Sequence, residues 1–215
     1  PLTSLNLFLD TFKNHELNRA EQLKYINFMR EDTSRLSTVV QHILSTAKIE
    51  SQTYQTKFEE TDLVAFTKTV VESQKRLTEK VKVILLPNSD SFVAPFDLAL
   101  IEMFITNLLT NAIKYNESNE IVVTIEFVRS NKWFDLRISD NGIGIEKKDL
   151  KNIFKKFYQV GKSIDMSAKG SGIGLFLVQT IASLHKSKVL AESEGVGNGS
   201  TFIFRNPLGR ELNNG

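Results

Sequence analysis

Three polar, glycine-containing clusters between residues 107 and 174 constrain the fold of this 215-residue chain more than any other feature. They read NLLTNAIKY at 107–115, DNGIG at 140–144 and GSGIG at 170–174. The first lies in an apolar helical pattern, the second ends an alternating strand pattern, and the third opens another apolar helix. We therefore expect a fold that brings helix ends and a strand end together around one ligand.

The first cluster offers oxygen ligands and a cation on one helix face. Asn107 and Asn111 are four residues apart, and Lys114 follows on the next turn beside Asn111. Asparagine is a poor residue for a helix interior, so the pair indicates a role beyond folding, although a solvated helix asparagine is the alternative. Mg²⁺ takes hard oxygen donors and is normally shared with substrate phosphates, so Asn111 is the predicted magnesium ligand.

The other two clusters add an acceptor and a phosphate site. Asp140 enters a turn in which Gly142 and Gly144 would let a ligand approach the backbone. A carboxylate suits the exocyclic amine of adenine and not the carbonyl of guanine. The third cluster would offer free backbone N–H groups and a helix dipole to a phosphate. Its predicted contacts are Gly170, Gly172, Ile173, Gly174 and Leu175.

Each cluster alone could be a plain turn or a capped helix, but the ordered set is specific. Together the three resemble the nucleotide-binding boxes of the sensor histidine kinases, in the superfamily that includes DNA gyrase, mismatch-repair ATPases and heat-shock chaperones. The resemblance implies a two-layer α/β sandwich of the Bergerat (GHKL ATPase) type that binds ATP (or ADP) with Mg²⁺. It also implies nucleotide contacts from Lys114, Tyr115, Ile145 and Phe157, with Thr201 as a second contact near the base.

A lid is expected between the second and third clusters. The segment GKSIDMSAKGSG at 161–172 has no periodicity and is bounded by glycines. IFKKF at 153–157 matches the family's phenylalanine box, and both phenylalanines are expected to pack at the base of the lid. Where the family usually has an arginine, this chain has Gln159, which leaves the cationic contact to Lys162 or Lys169.

The identity of residue 107 distinguishes the branches of the superfamily. The ATP-hydrolysing members place a glutamate base there, and a carboxamide cannot take a proton at neutral pH. The resemblance therefore implies a histidine kinase, in which a histidine accepts the γ-phosphate while Asn107 and Lys114 belong to the catalytic centre. A nucleotide-binding regulatory module is the alternative, and a protein-remodelling ATPase is a third reading that Asn107 argues against.

The N-terminal residues predict a helical hairpin. Helical spacing runs over 1–13 and again over 20–49, with the polar break KNHELNR between. One hairpin cannot bury both apolar stripes, so we expect a homodimeric four-helix bundle. The predicted domains are 1–52, for dimerisation and phosphotransfer, and 53–215, for ATP binding, in an α+β fold.

The start of the chain resembles the tail of the kinases' H box. PLTSL follows the acceptor histidine in that box by five positions, so we expect a fragment whose acceptor precedes Pro1. A response-regulator receiver domain would be the next acceptor. His15 is expected in the hairpin turn, His42 as a structural residue, and His185 as a helix-end cation that suits the dipole.

Composition excludes several classes of function. The chain has no cysteine, which excludes disulfides and thiolate sites, and its net charge of +2 argues against a nucleic-acid partner. No apolar run approaches the roughly 20 residues of a membrane helix. We expect a cytoplasmic fragment, and the resemblance is compatible with a longer parent anchored at the inner face of the cell membrane.

The local patterns of the second domain predict a mixed sheet backed by helices. The expected helices are one capped by Asp62 and ending near Lys80, one capped by Asp97 and ending at Tyr115, and one over 173–185. The expected strands are 54–60, 81–86, 92–95, 121–128, 134–140, 188–192 and a last one ending at Pro207, before a loose tail over 208–215.

Overall fold

The structure, a computed structural model, describes residues 2–51, 53–74, 81–86, 91–160 and 171–208, without the side chains of Arg35 and His42. The chain divides into two compact units, Pro1–Tyr54 and Gln55–Gly215. The helices are α1 (Leu2–Asn14), α2 (Arg19–Glu50), α3 (Leu63–Ser73), α4 (Leu98–Lys114) and α5 (Gly174–Leu184). The strands are β1 (Glu59–Asp62), β2 (Val81–Leu86), β3 (Val93–Phe96), β4 (Ile121–Arg129), β5 (Trp133–Asp140), β6 (Lys188–Glu192) and β7 (Ser200–Pro207).

The first unit is the expected helical hairpin of α1 and α2. Asn18 begins α2 with a capping box, in which its side chain accepts from the Glu21 N–H and the Glu21 carboxylate accepts from the Asn18 N–H, both at 3.0 Å. Phe8 of α1 packs against the rings of Tyr25 and Phe28 of α2, with centroids 5.6 and 5.7 Å apart. These contacts join the two helices, yet no residue of α1 is buried.

The second unit contains a five-stranded mixed sheet in the order β2-β4-β5-β7-β6. β2 runs parallel to β4, and the other neighbours are antiparallel. Phenylalanines of β4, β5 and β7 lie on one face of this sheet, and Phe104 of α4 lies with its ring centroid 5.1 Å from that of Phe204. The fully buried core includes Phe104, Phe127, Phe134, Leu177, Ile181 and Phe204. The expected α+β class and the two-layer arrangement are confirmed.

The other face of the sheet is polar at its centre. Because side chains alternate along a strand, Asp135 points away from the face that holds Phe134 and Leu136. Arg205 donates to the Asp135 carboxylate with both Nε and a terminal nitrogen, at 2.9 and 2.7 Å. This bidentate pair joins β5 to β7 on the face that the phenylalanines do not occupy.

Most predicted elements of the second unit are confirmed, and two have different bounds. Asp62 and Asp97 cap α3 and α4 as expected, by accepting hydrogen bonds from first-turn N–H groups. The strand expected over 54–60 is wrong, because ladder pairing begins only at Glu59, opposite Phe96. α3 ends at Ser73, and residues 75–80 of the expected helix lie outside the described residues. Residues 161–170 of the expected lid and residues 209–215 of the expected tail lie outside the described residues.

His185 differs from its expected role as a helix-end cation. It is 1% exposed, its Nδ1 lies 2.9 Å from the Ile181 carbonyl oxygen, and its Nε2 accepts from the Asp97 N–H at 3.0 Å. One nitrogen therefore donates and the other accepts, which is the pattern of a neutral imidazole. His185 links the end of α5 to the start of α4.

Among the described residues, no helix combines the length and apolar character that crossing a membrane requires.

Candidate functional site

The first and second clusters meet at the end of α4. The Ile143 N–H donates to the Tyr115 carbonyl oxygen at 2.9 Å. Gly142 is buried beside the same carbonyl, and a Cβ on Gly142 would lie only 2.4 Å from that oxygen. A side chain at position 142 would therefore push the DNGIG turn away from α4.

The first and third clusters meet at Asn107. This residue is 7% exposed, and its side-chain amide donates to the Met103 carbonyl oxygen at 2.8 Å. Its Oδ1 faces Gly174 at the start of α5, where an added Cβ would lie 2.9 Å away. The carboxamide of Asn107 thus lies between the helix of the first cluster and the helix that the third cluster opens.

Two further glycines occupy backbone conformations that favour glycine. Gly144 has a φ of 73° and lies against the Gly195 carbonyl, and Gly172 has a φ of 68° and lies against the backbone of Phe157. The reason expected for the glycines was approach of a ligand to the backbone. In the structure, a Cβ at Gly142 or Gly174 would meet the first cluster, and one at Gly144 or Gly172 would meet Gly195 or Phe157, so these glycines permit close contacts within the protein.

Asp140 ends β5 at the edge of this junction. One of its carboxylate oxygens accepts from the Gly142 N–H at 2.8 Å. Burial raises the pKa of Asp140 above its ordinary value, against the opposing effect of the Gly142 and Ser200 N–H groups. The carboxyl group is half-buried, so it remains accessible to a ligand from one side.

The last turn of α4 carries the predicted metal ligand and cation. Asn111 is half-buried, and among the described residues its carboxamide has no hydrogen-bond partner. A hard amide oxygen of this kind is a donor that fits Mg²⁺, which keeps most of its coordination for phosphates and water. The Lys114 ammonium lies 5.0 Å from the centre of the Tyr115 ring, within cation–π range.

The described part of the third cluster forms the start of α5. Ile173 is buried, Gly174 and Leu175 are half-buried, and no side chain caps the helix. An apolar residue at the N-cap leaves first-turn N–H groups for another acceptor, which is the arrangement that suits an anion. Three predicted contacts, Lys162, Lys169 and Gly170, lie outside the described residues.

One predicted contact, Thr201, lies elsewhere than expected. Thr201 pairs with Ser139 across β5 and β7, and their hydroxyls are 2.8 Å apart. Because side chains alternate, Thr201 is on the opposite face of the sheet from Asp140, whereas the buried Ser200 is directly opposite Asp140 on the same face. Ser200 is thus a candidate contact near the base, one residue before the predicted Thr201.

The phenylalanine box separates into two environments. Phe154 is buried and packs edge-on against Phe202, as expected. Phe157 is 65% exposed with a φ of 65°, and the lid against which it was expected to pack lies outside the described residues. Its N–H donates to the Gly172 carbonyl oxygen at 2.9 Å, which ties the box to the third cluster. Gln159 is exposed.

Two side chains that the sequence reading missed fix the DNGIG turn. The Asn141 side-chain oxygen accepts from the Val122 N–H and from the Asn116 amide at 2.9 and 2.8 Å, and its amide donates to the Glu120 carbonyl. On the other side of the turn, the Ile145 N–H donates to the Ser193 hydroxyl. The Ile145 side chain is half-buried. In the sequence, the glycines at 195, 197 and 199 could have indicated that this loop lies close to the DNGIG turn.

Comparison with known proteins gives the family. Residues 97–210 match the family described as histidine kinase-, DNA gyrase B- and HSP90-like ATPase. The sensor histidine kinase WalK of Bacillus subtilis (strain 168) is 27% identical over 215 residues, which is 98% of this chain and 35% of WalK. The chain thus spans about a third of the length of that curated relative.

Solved structures agree in fold. The histidine kinase AdeS of Acinetobacter baumannii has a TM-score of 0.75 at 20% identity, covering 98% of this chain and 96% of that one. The histidine kinase ThkA, solved in complex with the response regulator protein TrrA, has a TM-score of 0.73 at 23% identity, covering 96% of this chain and 57% of that one. At these identities the likeness establishes the fold.

Proposed function

The chain belongs to the family of histidine kinase-, DNA gyrase B- and HSP90-like ATPases, and from this premise we propose that it is the catalytic part of a cytoplasmic sensor histidine kinase. In this proposal residues 53–215 bind Mg·ATP, and the γ-phosphate passes to a histidine and then to a response regulator. Residues 1–52 form the dimerising hairpin, and the accepting histidine is supplied by a complete hairpin of the same kind.

The observation that carries the proposal is the junction of the three clusters. Tyr115 meets the DNGIG turn through its carbonyl, and Asn107 meets the start of α5 through its side-chain oxygen. A half-buried acceptor, an amide oxygen without a partner among the described residues, and an uncapped helix start therefore border one region. This combination suits the base, metal and phosphates of one nucleotide.

Each end of the nucleotide would have its own partners. The ionised Asp140 carboxylate accepts a hydrogen bond from the adenine amine, and Gly142 holds that carboxylate in place. Asn111 would hold magnesium through its amide oxygen, and a bound magnesium ion would neutralise phosphate charge. Lys114 and the N–H groups at the start of α5, at Gly174 and Leu175, orient the phosphates and withdraw charge from them.

Asn107 favours transfer to a side chain over transfer to water. Its amide is already bonded to the Met103 carbonyl, and a carboxamide cannot accept a proton from water at neutral pH. The accepting histidine nitrogen attacks the γ-phosphorus, the bond to the bridging oxygen breaks, and ADP leaves with that electron pair. The protein contributes orientation and electrostatic stabilisation to this step.

The proposed partners follow from the hairpin and from the relatives. Apolar side chains exposed on α1 and α2 would be buried by a second copy in a four-helix bundle. The solved complex of ThkA with the response regulator TrrA supports a receiver domain as the partner that receives the phosphate.

The test is a transfer assay with γ-labelled ATP and Mg²⁺. The chain is mixed with an acceptor protein that carries the complete hairpin of the longer protein, and acid-labile, base-stable label is measured on that acceptor. We expect label on histidine, and its loss with the Asn111→Ala variant. Tight ATP binding without label would favour a regulatory module, and steady phosphate release would favour an ATPase.

A further inference from the structure

Ser193 lies in the loop between β6 and β7 and joins it to the DNGIG turn. Its hydroxyl accepts from the Ile145 N–H at 3.0 Å and from the Gly195 N–H at 3.3 Å. The same hydroxyl donates to the Gly199 carbonyl oxygen at 2.7 Å. A serine hydroxyl has one donor hydrogen and two lone pairs, so this side chain uses all its hydrogen-bonding capacity.

The loop and the turn are in close backbone contact along their length. Gly197 donates to the Ile143 carbonyl at 2.7 Å, and Gly199 donates to the Gly142 carbonyl at 3.1 Å. A Cβ on Gly199 would lie 2.0 Å from the carbonyl oxygen of Asp140 itself. The backbone of the loop therefore determines how Asp140 leaves β5.

Ser193 differs from the other links in this contact. The remaining hydrogen bonds between residues 140–145 and 193–199 are made by backbone groups, and within the described residues Ser193 supplies the sole side-chain hydrogen bond between them. Three loop glycines, at 195, 197 and 199, have positive φ and no side chains to restrain them. Removal of this hydroxyl would therefore leave only the backbone hydrogen bonds from Gly197 and Gly199 to hold the two segments together.

We infer that Ser193 is a positioning residue for the base-binding end of the nucleotide site. It acts through Ile145 and the loop backbone to hold the turn of Asp140 and Gly142 in its binding shape, without touching the nucleotide. The inference rests on the proposed function, since it concerns the same site. If Ser193 served only to stabilise the fold, its removal would lower the unfolding temperature and leave the affinity of the folded protein unchanged.

Ser187 provides a matched control for this distinction. It is buried in the second unit, and its hydroxyl lies 2.7 Å from Asn206 Oδ1 and 3.1 Å from the His185 carbonyl oxygen, either of which can accept its one proton. Ser187→Ala therefore removes a serine hydroxyl and the hydrogen bond that it donates, at a position outside the site. The full chain is prepared as wild type, Ser193→Ala, Ser193→Thr and Ser187→Ala.

The dissociation constants for adenosine and for ADP are measured by calorimetry, with thermal unfolding of each variant. We expect Ser193→Ala to weaken both ligands by about five- to tenfold, the scale of one or two hydrogen bonds. Equal weakening of adenosine and ADP would place the effect at the base and not at the phosphates. Ser193→Thr keeps the hydroxyl and should restore affinity, and Ser187→Ala should bind like wild type although its unfolding temperature falls.

Wild-type affinity in Ser193→Ala, or the same change in Ser187→Ala, would overturn the inference. If Ser193→Ala does not unfold cooperatively, Ser193→Cys is measured by the same criteria, because its thiol is a weak replacement for the hydroxyl. Failure of the wild-type chain to bind ADP would instead contradict the proposed function. The two failures are thus distinguishable.

Discussion

The two units of the chain bury their apolar side chains to very different extents. In the second unit, large side chains from α4, α5 and the sheet, such as Phe104 and Leu177, are fully buried. In the hairpin, Leu7 is 63% exposed and Ile43 is 48% exposed, and the described part of the hairpin has no buried apolar residue. The α/β unit completes its own core, whereas the hairpin presents an apolar surface that another chain could cover.

This difference in burial implies that substitutions in the two units should have different effects. The candidate nucleotide site is built from residues 107–201, all within the second unit. Changes in that unit should alter stability or nucleotide binding, and changes on the exposed stripe of the hairpin should alter association. An experiment in which one change affected both properties equally would break this comparison.

The largest effect is expected in the core of the second unit. Leu108 is 1% exposed on α4, so Leu108→Ala should lower the free energy of unfolding by about 2 to 5 kcal/mol through lost burial and a cavity. Urea unfolding of the full chain measures the change. The control is Leu7→Ala in α1, which should shift the transition of the second unit by less than about 0.5 kcal/mol. Equal shifts would contradict the separation.

A charged substitution tests whether the exposed apolar surface of the hairpin mediates association. If the hairpin dimerises as proposed, Ile43→Glu should raise the dissociation constant of the dimer by at least about tenfold, because association would bury an unpaired carboxylate. Analytical ultracentrifugation measures it, with Gln41→Glu as a control that adds the same charge at an exposed polar position. ADP affinity should be unchanged in both variants. A dimer as tight as wild type would place association elsewhere.

Within the second unit, the role of Asn111 is tested by the effect of Mg²⁺ on ATP binding. Asn111→Ala should reduce the tightening of ATP binding by Mg²⁺ by about 1 to 2 kcal/mol, the scale of one contact to a charged group. Calorimetry with and without Mg²⁺ gives this difference, and the neighbouring exposed Thr110→Ala serves as the control. If magnesium tightened binding equally in all three proteins, Asn111 would not be its ligand.

The smallest effect is a pH dependence. Burial raises the pKa of Asp140 above its ordinary value of 3.8, so the carboxylate protonates earlier than usual as the pH falls. ATP affinity should fall as the pH decreases through this raised pKa, because the protonated acid is a poorer acceptor. The same group stabilises the fold below its unfolded pKa, and that contribution is lost as the pH rises through the folded pKa.

Titrations of ATP at several pH values, together with urea unfolding, check both directions. Asp140→Asn should abolish the contribution of residue 140 to the pH dependence of ATP affinity and of stability, because asparagine does not titrate. An affinity that rose as the pH fell through this range would contradict the assigned role of the carboxylate.

Local signals in the sequence predicted most of the fold. Asp62 and Asp97 precede apolar helical patterns, and the capping they predict depends only on neighbouring N–H groups. The strand β1 was misplaced because it pairs with β3, about 35 residues away, and not through its own periodicity. The hydrogen bond that His185 accepts likewise depends on the distant Asp97 N–H.

The candidate site was predictable as a set of clusters but not in its details. The order of the clusters indicated a shared site, and the structure joins them at Tyr115 and Asn107. The close protein contacts of the glycines could not be predicted, since which atom a missing Cβ would meet is a tertiary property. The choice between Thr201 and Ser200 required the register of β7 against β5, and Ser193 has no local pattern that separates it from a loop serine.

The central claim, that the second unit binds ATP with Asp140 at the base, is tested most directly by calorimetric titration of Mg·ATP into the full chain and into Asp140→Asn. The account predicts binding to the wild type and a loss of about 1 to 3 kcal/mol in the variant, the scale of a charged hydrogen bond. Thr201→Val, on the opposite face of the sheet, should bind like wild type. Equal affinity of Asp140→Asn and wild type would contradict the account.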